Sequence, residues 1–317
     1  MALKIRILRH PVSPLKLPKP VVATIGMFDG LHLGHQALLK TVVERRDKLS
    51  RPHGAAGSTM LISFYPHPDA VFGKKTCAQR LTTWHQKARR LTGLGIEYLV
   101  LFRFNLQLAN RSAEDFINKT LIELLNVDYL VLGPDAALGR NREADAKAIQ
   151  DCFSRCGRFA EIIPAVAHEG RRISSELIRG LILEGHLTQL PSVLGRRYAL
   201  EGRTQRGAGR GTKLLFPTAN LMVSKQLLPP FGVYATFTEL GGRSFKSVTN
   251  IGRRPTFDGK QTVVETHLIG FKGGELYKRH IEIEIAAKIR DEIKFNNSLE
   301  LSRQIKRDIQ NASELLK

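Results

Sequence analysis

Apolar residues in the first half of the chain come in short solid runs separated by amphipathic stretches. Val21-Val22-Ala23-Thr24-Ile25 is one such run and reads as a strand buried on both faces. After it, Leu38, Val42, Val43 and Leu49 recur at helical spacing over 35–49. A second strand is predicted over 59–64 and ends in Tyr65-Pro66-His67-Pro68, where two prolines force a loop. A helix follows over 84–94 and a strand over 98–102. Ser112-Ala113-Glu114-Asp115 has the form of a helix start and opens a helix to about Leu125. A strand over 129–132, a helix over 144–156 and a strand over 160–163 complete the series. Strands alternating with helices imply a parallel sheet covered on both faces, with ligands beyond the carboxyl ends of its strands. The turn after Ile25, the loop from Phe64 to Pro68 and the loop from Gly133 all fall at that edge.

From Arg196 the pattern becomes short strands with turn signals, as in a closed all-β domain. Strands are predicted over 197–201, 232–239, 245–251, 262–269 and 280–286. In the last, Ile281, Ile283 and Ile285 alternate with Glu282 and Glu284, which puts both glutamates in solvent. Over 298–316, Leu301, Ile305, Ile309 and Leu316 fall near one face of a helix expected to pack on the barrel's outside. The stretch 187–194, interrupted by Pro191, reads as a connector, so the domains are expected at 1–186 and 187–317. A length of 317 residues suits two domains of roughly 150 residues each.

Charge adds a partner class. There are 49 Lys and Arg against 29 Asp and Glu, a net +20. That surplus attracts nucleotides and other polyphosphates as well as nucleic acid. The basic residues are scattered, and neither zinc-finger spacing nor an RNA-binding aromatic signature accompanies them, so nucleic acid is not the expected partner. Cys77, Cys152 and Cys156 are odd in number and loosely spaced, which suits reduced thiols of a cytoplasmic protein. Residues 1–19 are basic, contain three prolines and lack the apolar core of a signal peptide. No run is long enough to span a bilayer. A homo-oligomer is left open.

The chemistry gathers at Gly26-Met27-Phe28-Asp29-Gly30-Leu31-His32-Leu33-Gly34-His35, between the first strand and its helix. A helix N-terminus presents unpaired N–H groups and partial positive charge to a phosphate. Gly26, Gly30 and Gly34 allow close approach, and the imidazoles of His32 and His35 can donate to phosphate oxygens. His-x-Gly-His alone also fits a glycine-rich turn with incidental histidines, whereas the ten-residue string is far more specific. It resembles the signature of the nucleotidylyltransferase superfamily, and in full that of the bacterial bifunctional riboflavin kinase and FMN adenylyltransferase (FAD synthetase) family. The resemblance implies nucleotide binding by Gly26, Phe28, Asp29, Gly30 and Gly34, with catalytic His32 and His35.

Further motifs follow in the family's order. In Arg171-Arg172-Ile173-Ser174-Ser175-Glu176-Leu177-Ile178-Arg179, a serine can cap the next helix, and Arg179 lies one turn from Ser175. An ordinary capped helix would look the same. The family's Ser-Ser-Thr-x-x-Arg implies that Ser174, Ser175 and Arg179 bind phosphates, with Glu176 in place of threonine. The loop Gly133-Pro134-Asp135-Ala136-Ala137-Leu138-Gly139 resembles Gly-x-Asp-Phe-x-Phe-Gly but carries Ala136 and Leu138 where rings are expected. The resemblance assigns Asp135, Pro66 and Arg290 to flavin binding.

In the second half, Gly207, Gly209 and Gly211 with Arg210 and Lys213 form a cationic loop that fits either a phosphate or a solvated turn. Phe216-Pro217-Thr218-Ala219-Asn220 resembles the riboflavin kinase signature, which implies Thr218 and Asn220 as magnesium ligands. On an extended segment both point to one face. Asn250-Ile251-Gly252-Arg253-Arg254-Pro255-Thr256-Phe257 and Val264-Glu265-Thr266-His267 are further matches, the latter implying Glu265 as general base. The implied fold is a doubly wound α/β nucleotidylyltransferase domain followed by a small riboflavin-kinase-like β-barrel with a C-terminal helix. The implied chemistry uses ATP and Mg2+ on riboflavin and FMN, with FMN and FAD as products. A kinase with a weakened or specialised adenylyltransferase half, and a flavin- or nucleotide-binding regulator, are the alternatives.

Overall fold

In the computed structural model the described residues are 5–50, 56–73, 79–205, 218–223, 225–256, 259–271 and 276–317. The chain divides into two units, Met1–Ser174 and Ser175–Lys317.

The first unit is a six-stranded sheet, all of whose pairings are parallel. Its strands are β1 (Arg6–Arg9), β2 (Val21–Ile25), β3 (Ser58–Tyr65), β4 (Tyr98–Arg103), β5 (Tyr129–Leu132) and β6 (Phe159–Ile162). They lie in the order β1-β4-β3-β2-β5-β6. The solid apolar runs β2 and β3 occupy the centre, where helices cover both faces. One face buries Val22, Leu61 and Leu99 against Leu39 and Val42 of α1 (Leu33–Ser50). The other buries Ala23, Met60, Val100, Phe116, Ile149 and Phe153. Strand order reverses direction between β2 and β5, and such a switch point opens a crevice at the carboxyl ends.

Thr83 begins α2 (Trp84–Gly93) with a capping box, its hydroxyl accepting from Gln86 N–H. Ser112 caps the next helix as expected, accepting from Asp115 N–H at 3.1 Å, and that helix continues over Phe116–Leu124 in π-form. Asp145 caps α3 (Ala146–Arg155). Two-residue strands at Ala137–Leu138 and Ala144–Asp145 pair with each other before it.

The second unit opens with α4 (Ser175–Leu183). A closed antiparallel barrel follows, of β7 (Ala199–Gln205), β8 (Ala219–Val223), β9 (Gly232–Leu240), β10 (Arg243–Thr256), β11 (Gly259–Leu268) and β12 (His280–Arg290). The order around the barrel is β7-β8-β11-β10-β9-β12. Alternation sends Leu200, Ala219, Val264, Ile251 and Ile283 inward. The interior is also partly polar: Thr236, Thr238, Ser247, Thr249 and Thr266 are all fully buried. Their hydroxyls bond one another, Thr236 to Ser247 and Thr249 at 2.8 Å each and Thr249 to Thr266 at 3.0 Å. The terminal helix α5 (Ser298–Leu315), with the residue that follows it, packs Ala312 and Leu316 against Ala235 and a rim of Phe237, Val248 and Ile289.

One expectation fails in the barrel. Glu282 is 5% exposed rather than solvated. It stands opposite Glu201 on β7 and Glu239 on β9, and Glu201 is likewise buried at 2%.

Candidate active sites of the two units

Between β2 and α1 the chain makes a turn that glycine alone does not explain. Phe28 and Leu31 take φ of +49° and +45°, beside Gly26 at +157° and Gly30 at +84°. Each left-handed non-glycine residue costs about 1–3 kcal/mol and persists only where its surroundings over-determine it. The segment 81–87 supplies that restraint. The Asp29 carboxylate accepts from Leu81 N–H at 3.0 Å, Thr82 N–H at 3.2 Å and the Thr82 hydroxyl at 3.2 Å. Gly30 N–H donates back to Thr82 Oγ1 at 3.2 Å, and Lys87 Nζ donates to the Met27 carbonyl at 2.6 Å. Asp29, expected to bind nucleotide, is instead 8% exposed and taken up as this bracket, its oxygens directed at backbone N–H groups.

His32 caps the first turn of α1. Its carbonyl accepts from Gln36 N–H at 2.9 Å and its Nδ1 from His35 N–H at 3.2 Å. A ring nitrogen that accepts carries no proton, so this contact leaves the His32 proton on Nε2. The His32 and His35 rings stack with centroids 3.6 Å apart, and Phe28 stacks on the other side of His35 at 4.6 Å. The Nδ1 of His35 is buried without a hydrogen-bond partner. Burial, and then the neighbouring His32 and Lys87, hold the His35 pKa well below its ordinary value. His35 is therefore neutral at pH 7, and His32 can donate through Nε2–H. A Cβ at Gly34 would stand 3.1 Å from His32 Nδ1, so a side chain there would crowd the ring. The Ile173 carbonyl lies 3.7 Å from the same point, and Ser174 directly after it closes the first unit.

The loop after β5 departs from its expected role. Ala136 and Leu138 pack against the core cluster that contains Phe116 and Ile149. Asp135 is exposed and ion-paired with Arg172, and its carbonyl accepts from Arg142 at 3.0 Å. Ring surface lies instead beyond β3 and β4. Phe104 meets both Phe64 and Phe72 edge-on at 5.9 Å, and Phe72 is 54% exposed. Pro66 sits in the loop between Phe64 and Phe72, tied to β4 by Phe104 N–H donating to the Tyr65 carbonyl at 3.0 Å. The sequence reading missed Phe72, Phe104 and Lys87, since each looks like an ordinary amphipathic position until its partner is known.

In the second unit the barrel register makes a row. Asn220 on β8 pairs with Glu265 on β11, and Glu265 pairs on its other side with Asn250 on β10. The flanking residues Ala219, Leu221, Val264, Thr266 and Ile251 are buried inside, so these three polar side chains share the barrel's outer face. Directly opposed residues lie about 5 Å apart at Cβ, within reach of one ligand. Thr218 precedes β8 two residues before Asn220. The hydroxyl of Thr218, the amide oxygen of Asn220 and the carboxylate of Glu265 form an oxygen donor set of the kind magnesium takes. Ser175 and Arg179 lie on α4, one turn apart, with Glu176 exposed between them. Gly207, Gly209 and Gly211 lie outside the described residues. Arg290, expected at the flavin, has a structural role. Its guanidinium grips Asp308 of α5, with Nη2 to Oδ2 at 2.7 Å and Nε to Oδ1 at 2.9 Å, and Nη1 donates to the Asp291 carbonyl.

Comparison with known proteins bears on both units. A family model described as FAD synthetase matches residues 15–177, and one described as riboflavin kinase matches 194–316. The Escherichia coli K12 bifunctional riboflavin kinase/FMN adenylyltransferase is 35% identical over 92% of each chain. Proteins of the same description from Bacillus subtilis and Haemophilus influenzae are each 33% identical over at least 91% of each chain. A crystal structure of a Streptococcus pneumoniae protein, described as a macrolide-efflux protein, superposes with a TM-score of 0.83 at 25% identity, covering 97% of this chain and 98% of that one. Among the described residues no helix is long and apolar enough to cross a membrane.

Proposed function

Because the chain belongs to the family of bifunctional riboflavin kinase/FMN adenylyltransferases, we propose that its barrel phosphorylates riboflavin and its parallel-sheet unit adenylylates the product. The observation that carries this reading is the tandem match of both family models, each falling on a unit that contains its own polar site.

In the barrel, Glu265 accepts the proton of the terminal ribityl hydroxyl as that oxygen attacks the γ-phosphorus of ATP, giving FMN and ADP. Asn220 and Asn250 on either side orient the groups around it, and Thr218 and Asn220 would hold magnesium, which neutralises phosphate charge. In the first unit an oxygen of the FMN phosphate attacks the α-phosphorus of ATP, and pyrophosphate leaves. Charge builds on the phosphate oxygens, and the N–H groups opening α1 together with His32 Nε2–H meet it. A histidine donor suits a step that needs hydrogen bonds and no net proton transfer. Ser174, at the end of the first unit, serves the nucleotide phosphates. Phe72 and Phe104 give the flavin ring a flat surface in place of the missing loop aromatics. The reaction belongs in the cytoplasm, where ATP is abundant.

The test is incubation of purified protein with riboflavin, ATP and magnesium, followed by chromatographic separation of the flavins. FMN and then FAD should accumulate. FMN without FAD would select the specialised-kinase reading, which the inward packing of Ala136 and Leu138 favours. Absence of both products would overturn the proposal.

A further inference from the structure

Lys87 is an unusual residue for its position. It lies in the first turn of α2 on the face turned to the sheet and is 5% exposed. A lysine is almost never buried so deeply unless something holds its ammonium. Here the Met27 carbonyl does so at 2.6 Å, and the ammonium stands over the Trp84 ring at 4.8 Å. Met27 is the residue before left-handed Phe28, whose ring begins the Phe28–His35–His32 column. Ser63 Oγ is the second donor to that carbonyl, at 3.5 Å, so the lysine supplies the closer contact.

The same segment makes the other contacts to the turn. Leu81 and Thr82 hold Asp29, Thr82 holds Gly30, and Thr83 and Gln86 close the capping box that fixes where α2 begins. Asp29 and Gly30 lie after Phe28 and Met27 lies before it, so the strained residue is gripped from both sides. We propose that Lys87 is a positioning residue for adenylyl transfer, its buried ammonium fixing the Met27 carbonyl and through it the ring column that carries His32. This rests on the first unit being the adenylyltransferase.

Two further observations agree. The charged groups facing the ammonium are Asp29, which favours its charge, and Arg80, which opposes it; burial opposes it most and draws its pKa down to about 8. A neutral side chain of equal length at this position would escape that opposition, so the charge is retained at a cost in stability. Retention of a destabilising group beside a reacting site is the pattern expected of a functional residue. The charge also helps keep His35 neutral.

The test compares Lys87→Met, Lys87→Arg and His32→Ala with wild type in FAD synthesis from FMN and ATP, with riboflavin phosphorylation assayed in parallel. Lys87→Met should lower kcat for FAD synthesis at least tenfold, with a melting temperature no lower than wild type and unchanged riboflavin phosphorylation. Wild-type FAD synthesis should decline as pH rises through about 8, and Lys87→Arg, which keeps its charge, should retain activity to higher pH. The fluorescence of Trp84, the chain's single tryptophan, reports whether each variant keeps the packed site. If His32→Ala loses FAD synthesis while Lys87→Met keeps wild-type kcat and an unchanged pH profile, the Lys87 role is overturned and the adenylyltransferase stands. Wild type that makes no FAD overturns both. If Lys87→Met does not fold, the alkaline limb of Lys87→Arg decides alone: an unshifted limb rejects the proposal.

Discussion

The backbone N–H of His35 donates to Nδ1 of His32 at 3.2 Å while the two rings lie stacked 3.6 Å apart. One histidine is thus the cap of the helix on which the other rides, and the cap's tautomer leaves its proton on the far nitrogen. Replacing His32 with Ala removes both cap and donor. Loss of one transition-state donor commonly costs about 100-fold to 1,000-fold in kcat. FAD formation should fall by at least that much, while FMN formation from riboflavin stays at the wild-type rate, both read by chromatography.

His35 makes stability depend on acid. Its folded-state pKa lies well below the ordinary 6.5, so on acidification the unfolded chain takes a proton that the folded chain refuses. Stability should be fully present above 6.5 and decline as pH falls below it. His35→Asn should flatten that decline in urea unfolding measured between pH 7 and pH 5. An identical pH slope in the variant would show that His35 does not titrate as its surroundings require.

Glu265→Gln keeps the shape of the Asn220–Glu265–Asn250 row and removes the base. Riboflavin phosphorylation should slow by about 100-fold or more. FAD formation from supplied FMN should be unchanged, because that reaction belongs to the other unit. A phosphorylation rate within twofold of wild type would remove Glu265 from the mechanism.

Phe72 offers an exposed ring beside Phe104. If the flavin stacks there, Phe72→Ala should cost on the order of 1 kcal/mol beyond buried area, which is roughly a fivefold rise in the KM for FMN. The kinetic constants for riboflavin should not move.

The pair Arg290–Asp308 is nearly sealed from solvent, with side-chain exposures of 17% and 3%. Asp308→Ala leaves the guanidinium without its partner and should destabilise the barrel unit by about 3–5 kcal/mol in denaturant unfolding. The double variant Arg290→Met, Asp308→Leu should recover much of that loss, since two apolar groups of similar volume need no compensation.

The elements that could be read in advance are those whose own residues state their environment. The solid runs at 21–25 and 129–132 located β2 and β5 to the residue, and the alternation around Ile281 and Ile283 found the start of β12, which runs four residues past the expected 286. Strand β1 escaped because it lies at the sheet edge and two of its four residues are arginine. Strand β8 was hidden within a segment read only as a ligand motif. The job of Asp29 depends on N–H groups fifty-two residues away at Leu81, and that of Arg290 on Asp308 in the last helix. Glu282 stands between Glu201 and Glu239 of the neighbouring strands, surroundings that alternation within one strand does not report. His32 and His35 were legible because glycine spacing and a strand-to-helix turn place them together locally.

The hydroxyls inside the barrel have an evolutionary consequence. In the set Thr236, Thr238, Ser247, Thr249 and Thr266, each buried hydroxyl bonds at least one other, so one loss strands a neighbour. Thr249→Val alone should be costly, yet less costly when Thr236 or Thr266 changes with it. Among descendants of this sequence, these positions should change by correlated replacement, drifting as a group toward a wholly apolar lining or staying as they are.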